Sequence, residues 1–132
     1  MVLDASAVVQ LLLGLPGWDL VARRLRYLDA SAHAPHLVLV EAAQAIRRHE
    51  RSGGVTASFG AAAMSDLADL DLTLHEHDWL LPRVWELRSN LTAYDAAYVA
   101  LAESLDAPLL TFDARLARAT GHHAVIELLP RT

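Results

Sequence analysis

The chain predicts an α/β fold, a three-layer domain whose central, mainly parallel sheet of four to five strands is flanked by helices. Two observations carry that expectation. Stretches of strand length alternate with helix-periodic stretches from one end of the 132 residues to the other. The connections between them are also short, and no internal repeat or linker interrupts them, so residues 1–132 are expected to form a single domain. A hydrophobic fraction of 54% with 20% charged residues suits a compact globule rather than a disordered chain.

The elements follow in order. Val2 and Leu3 make a first short strand before Asp4, and the run from Ala5 is helical until Gly14-Leu15-Pro16-Gly17 breaks it. A second helix is predicted from Trp18 to about Leu28, because Val21, Leu25 and Leu28 share a face that Arg23, Arg24 and Arg26 largely avoid. Ala32-His33-Ala34-Pro35 reads as an extended piece. From Leu37, the residues Val38, Ala42, Ala45 and Ile46 recur at helical spacing, and Arg47, Arg48 and Arg51 suit the helix carboxyl end before Gly53-Gly54. Thr56 is placed to cap a further helix whose buried side is expected to carry Phe59, Ala63 and Leu67. Leu70, Leu72 and Leu74 then alternate with Asp71, Thr73 and His75, the period of a strand with one buried face. A helix with Pro82 near its first turn is expected between Asp78 and Arg88, and another from Thr92 to Leu105. Pro108 turns the chain into the strand Leu109-Leu110-Thr111-Phe112, a short helix follows Asp113, and residues 124–128 form the last strand.

Several chemistries are excluded by composition. There is no cysteine, which removes disulfides, thiolate metal sites and cysteine nucleophiles. All 11 basic residues are arginine, so neither a phosphate-binding loop with its lysine nor Schiff-base chemistry can be served. The glycine fingerprint of dinucleotide binding and the strained serine elbow of hydrolases are also missing. The amino-terminal residues do not resemble a signal peptide and no apolar run is long enough to span a bilayer, so a cytoplasmic protein without membrane contact is expected. His75-x-His77 and His122-His123 lack the spacing of a zinc motif. Trp18, Trp79 and Trp85 fall in helical patterns and are expected in the core or at dimer contacts.

What remains in quantity is carboxylate. Asp4 and Asp113 each follow an apolar strand directly, and each can cap the helix after it. Thr92-x-x-Asp95 fits a capping box with Asp95 at the third helical position, where free N–H groups and the helix dipole stabilise a negative charge. Glu41 differs, because it interrupts an apolar run from Leu37 to Ala43. Buried there without a partner it would be strongly destabilising, unless it lies on an exposed stripe beside Arg48 or His49. Open parallel sheets collect ligands outside the carboxyl ends of their strands, and all four acids can reach that crevice. Four carboxylates together repel, and a divalent cation relieves the conflict. Oxygen-only ligands are those Mg²⁺ or Mn²⁺ prefers, and one or two such ions can activate a water and stabilise the leaving oxygen of a phosphodiester.

With these residues in place the chain resembles the PIN-domain family, closest to the VapC ribonuclease toxins of type II toxin–antitoxin pairs. The likeness rests on Asp4-Ala5-Ser6 after the first strand, Glu41 within LVLVEAAQAIRR, LTAYDAAYVALAESL around Asp95, and PLLTFD ending at Asp113. It covers nearly the whole chain in order and spacing. The resemblance implies a metal-dependent endoribonuclease that uses one or two Mg²⁺ or Mn²⁺ ions and is neutralised by a small antitoxin whose carboxyl-terminal segment occupies the active-site groove; it also implies a homodimer. In those terms Asp4 and Asp95 would contact metal, Asp113 would ligate directly or through water, and Glu41 would orient or activate water. Ser6 and Thr111 would support the cluster by hydrogen bonding. Some relatives carry a further acid shortly after the last motif, where this chain has Leu116 and Ala117.

An RNA substrate has to be reconciled with acidity. Removing the four proposed site acids from the formal net charge of −5 leaves −1, and Arg23, Arg24, Arg47 and Arg48 are candidate phosphate contacts beside Arg26 and Arg51. Two alternatives stand next to the toxin. A PIN-type nuclease of RNA maturation is distinguished by the absence of a short antitoxin-like reading frame directly upstream. A phospho-accepting receiver or a degenerate, non-catalytic metal-binding interaction domain would respectively need a lysine, which is absent, or lack one of the four acids, all of which are present.

Overall fold

The computed structural model describes residues 1–27 and 31–132. Five strands, β1 (Val2–Leu3), β2 (Ala32–Pro35), β3 (Leu72–His75), β4 (Leu109–Thr111) and β5 (Ile126–Leu128), form one sheet in the order β3-β2-β1-β4-β5, with every neighbouring pair parallel. Val2, Leu3, Leu109 and Leu110 are fully buried, as the apolar central strands of a sheet covered on both faces must be.

The helices are α1 (Ala5–Leu13), α2 (Trp18–Tyr27), α3 (Leu37–Arg51), α4 (Ala57–Asp69), α5 (Leu81–Glu86), α6 (Ala93–Leu105) and α7 (Ala114–Ala117), with a 3₁₀ turn at Asp78–Leu80. The expected end of the second helix at Leu28 lies outside the described residues. α1 packs on α2 and α3, and α3 on α4, whereas α5 packs on α6, which crosses β1, β2 and β4. Right-handed crossovers that step one way from β1 to β3 and the other way from β3 to β4 set these two groups on opposite faces of the sheet. Seven successive residues of α6, Ala96 to Ala102, are buried, and four of them are alanines that let the helix lie close to the strands.

The order of the strands positions the site. The chain runs outward from β1 through β2 to β3, then returns to β4 on the other side of β1 and continues to β5. The boundary between β1 and β4 is therefore where the winding reverses, and there an open parallel sheet leaves a crevice at its carboxyl edge. The register Val2↔Leu109 and Leu3↔Leu110 ends both strands level, and the Asp4 amide donates to the Leu110 carbonyl at 3.3 Å.

Three local expectations need correction. Phe59 is 47% exposed; α4 buries Gly60, Ala63 and Leu67 instead, a 3-then-4 spacing from which Phe59 is rotated by one residue. Leu70 ends α4 with extended backbone rather than opening β3, whose Leu72 and Leu74 are only half-buried because β3 is an edge strand. Trp18, Trp79 and Trp85 are 44%, 48% and 68% exposed, so of the two places expected for them, the core or a dimer contact, the core is ruled out. Among the described residues no single helix is long and apolar enough to cross a membrane.

Candidate active site

Asp4 stands at the end of β1, 6% exposed, and caps α1 by accepting the Ala7 amide at 2.9 Å on Oδ1. The same oxygen accepts the Ser6 hydroxyl at 2.6 Å, while Oδ2 accepts the Thr111 hydroxyl at 2.5 Å. Ser6 Oγ in turn accepts the Phe112 amide at 2.9 Å, and Thr111 Oγ1 accepts the Asp113 amide at 2.9 Å. The two hydroxyls thus weld the carboxyl ends of β1 and β4 together around one carboxylate. Burial pushes the Asp4 pKa up, with Asp113 adding to the rise and the Ser6, Thr111 and Ala7 bonds opposing it.

Asp113 caps α7, its Oδ1 accepting the Arg115 amide at 2.9 Å and the Leu116 amide at 3.4 Å. Asp95 sits in the first turn of α6, where Thr92 is the cap and accepts the Asp95 amide at 3.1 Å. Burial raises the Asp95 pKa; Arg115 opposes that rise and Asp113 reinforces it. Two of the acids that local rules explain as caps therefore are caps, and the charge of Asp113 bears on both Asp4 and Asp95.

Glu41 finds its compensation 57 residues away. Tyr98, 2% exposed and one helical turn beyond Asp95, donates its hydroxyl to Glu41 Oε1 at 2.6 Å. Burial, Glu41, Asp4 and Asp95 together drive the Tyr98 pKa far upward, so the phenol keeps its proton and acts as a donor. One buried hydroxyl thus feels three of the four acids, and the fourth, Asp113, acts on both Asp4 and Asp95. Neither Arg48 nor His49 pairs with Glu41; they line the same groove further along.

As they stand, no three carboxylates or imidazoles among the described residues are grouped closely enough to share one cation. A cationic side chain already lies between two of them. Arg115 Nη2 is 3.3 Å from Asp95 Oδ2 and 3.6 Å from Asp113 Oδ2. The donor set nonetheless suits a hard divalent ion: it is oxygen only, Asp4 Oδ2 carries a single hydrogen bond and retains a lone pair, and the ionic partner of Asp95 is the exposed Arg115.

Beside the acids a groove of about 490 Å³ opens between α1 and α3, lined by Ser6, Gln10, Glu41, Gln44, Arg48 and Arg131 among others. Of the four arginines expected to meet phosphate, Arg48 lines it. Arg23 is paired with Asp19 at 3.0 Å, Arg24 forks onto Glu127 of β5, and Arg47 is exposed on α3 and does not line the groove. Sequence reasoning missed Tyr98, Arg115 and Arg131. The first had a readable signal, since position i+3 from Asp95 lies on the same helix face; Arg131, near the end of the chain, had none. The histidines of the two sequence pairs are occupied elsewhere: His75 Nε2 meets His33 Nδ1 at 2.9 Å, His77 Nε2 accepts the Leu37 amide, His122 bonds Ala119 and Ala124, and His123 Nδ1 lies 2.9 Å from Glu103 Oε2.

Comparison with known proteins gives a consistent picture. A sequence profile for the family described as PIN domain matches residues 1–121. Ribonuclease VapC1 of Mycobacterium tuberculosis is 41% identical over 129 residues, covering 97% of this chain and 96% of that protein. Ribonuclease VapC12 of the same organism is 41% identical, covering 97% and 98%. Among solved structures, VapBC2 from Rickettsia felis, bound to a DNA fragment from their promoter, superposes with a TM-score of 0.71 at 15% identity, covering 98% of each chain.

Proposed function

The chain belongs to the PIN-domain family, and from that premise we propose that it is a VapC-type endoribonuclease, the toxin of a toxin–antitoxin pair, which hydrolyses RNA phosphodiesters with a metal-activated water. The observation that carries the proposal is the placement of Asp4, Glu41, Asp95 and Asp113 around the β1/β4 switch point, with Tyr98 on the Asp95 helix hydrogen-bonded to Glu41. Asp4, Asp95 and Asp113 would hold one or two Mg²⁺ or Mn²⁺ ions. Such an ion supplies positive charge at the phosphate and lowers the pKa of water.

The chain's own residues do the rest. Thr111 and Ser6 hold the Asp4 carboxylate against rotation, which aims the free lone pair of Oδ2 into the crevice. Tyr98 fixes one oxygen of Glu41 and leaves the other to orient a water and take its proton. Arg48 and Arg131, in the adjoining groove, counter the phosphates of the bound strand. The same groove would receive the carboxyl-terminal segment of the antitoxin, which makes inhibition a competition for one surface. The setting is the cytoplasm, where the RNA is.

Purified protein should cleave RNA in Mg²⁺ or Mn²⁺ and stop in excess chelator. Asp4→Asn and Asp95→Asn should each lose activity by roughly 100-fold or more, the scale of removing one electrostatic element from a reaction centre. Cleavage that survives both substitutions at the wild-type rate would remove the proposal.

A further inference from the structure

Arg115 is held over the acids by a hydrogen-bonded ion pair to Asp95 and a second ionic contact to Asp113. Its side chain is 71% exposed, so packing does not set its position, yet one guanidinium nitrogen reaches Asp95 Oδ2 on α6 and Asp113 Oδ2 beyond β4. Its backbone is anchored in the same place, because the Arg115 amide is one of the two that Asp113 caps. A surface pair of this kind ordinarily contributes little to stability, and nothing else in α7 requires it. The oxygens it touches are also those of two acids proposed to hold the metal.

From this geometry we infer that Arg115 is a built-in counter-cation of the metal-free enzyme, which a divalent ion must displace from Asp95 and Asp113 and which then moves onto the phosphate of the bound RNA. The inference rests on the proposed nuclease reading. A guanidinium and a divalent ion cannot share Asp95 Oδ2, so occupancy by one lowers the apparent affinity for the other. While Arg115 is in place the mutual repulsion of Asp95 and Asp113 is relieved, which keeps the crevice assembled without metal. Once displaced, the side chain has somewhere to go: a cavity of about 280 Å³ lined by Thr92, Asp95, Arg115 and Arg118 lies alongside. From α7 the guanidinium stays at the rim of the crevice, where its planar fork suits a phosphate. Loading metal therefore converts an internal ion pair into a substrate contact.

The test is Mn²⁺ titration by calorimetry in the absence of RNA, on wild type, Arg115→Gln, Arg115→Met and Asp95→Asn, with melting temperatures as the control for folding. Both Arg115 variants should bind Mn²⁺ more tightly by roughly 1.5- to fivefold, the equilibrium equivalent of one exposed ion pair. At saturating Mn²⁺ they should show a KM for RNA raised by a similar factor, with the rise largest at low salt. Equal Mn²⁺ affinity in wild type and both variants overturns the inference and leaves the nuclease proposal standing. Absence of Mn²⁺ binding in wild type and variants alike would instead sink the metal reading on which it rests.

Discussion

Asp4 concentrates the tension between stability and function in a single residue. It is a helix cap with three hydrogen-bond donors and is also a buried carboxylate whose pKa burial raises. Asparagine keeps the shape, can still accept the Ala7 amide and can meet the hydroxyls of Ser6 and Thr111, but carries no charge to desolvate. Asp4→Asn should therefore melt higher than the metal-free wild type, by roughly 3–6 °C if about 1 kcal/mol is recovered. Differential scanning calorimetry decides the matter, and a lower melting temperature would mean that the charge-assisted bonds outweigh desolvation. A variant that is more stable and inactive also separates catalytic loss from unfolding. Glu41 shows the same logic answered differently: its partner is a buried phenol that donates to it, and no arginine pairs with it among the described residues.

Among elements, the junction that enters α2 is the least forgiving. Gly17 has φ +95°, a conformation that L side chains rarely adopt, and a Cβ there would stand 2.6 Å from both Phe112 Cε1 and the Pro130 carbonyl oxygen. Three segments meet at this point: the turn after α1, the residue following β4, and the carboxyl-terminal tail that brings Arg131 over the Phe112 ring at 5.5 Å. Gly17→Ala should destabilise by about 2–4 kcal/mol, combining left-handed backbone strain with overpacking. Urea denaturation should show the midpoint fall, and a change below about 0.5 kcal/mol, the scale of an ordinary surface substitution, would show that the tail simply yields. Elsewhere the elements are secured more conventionally. Arg83 of α5 forks onto Glu103 of α6 at 2.8 and 3.0 Å, and Glu103 also accepts the His123 amide, which ties the segment before β5 to the same helix.

At the scale of the whole molecule, the exposed aromatic and aliphatic residues stand out from a surface that is otherwise polar. Trp79, Leu81 and Trp85 follow one another through the 3₁₀ turn and α5 with about half or more of their area in water. Large apolar side chains left in water along one short segment are candidates for an interaction site. The homodimer expected from the family resemblance is the first occupant to test. Light scattering coupled to size exclusion should give twice the mass of one chain at micromolar concentration, and Trp85→Glu should shift it toward the single-chain mass. A stable monomer for the wild-type protein would refute the dimer.

Much of this molecule is written locally. The order and kind of the elements, the caps at Asp4, Thr56, Thr92 and Asp113, and the appearance of acids at strand ends depend on periodicity and on side chains bonding to amides two or three residues away. Those interactions have the same form in any fold, so the sequence alone determined them, and with them the four candidate acids. Tertiary structure alone decided the sheet order that sets β4 against β1, the pairing of Glu41 with Tyr98, the diversion of Arg24 to Glu127, the exposure of Phe59 and of the tryptophans, and the bridge from Arg115 to Asp95 and Asp113. Each of these depends on which distant surfaces come to face one another, and no local pattern of apolar and charged residues carries that information.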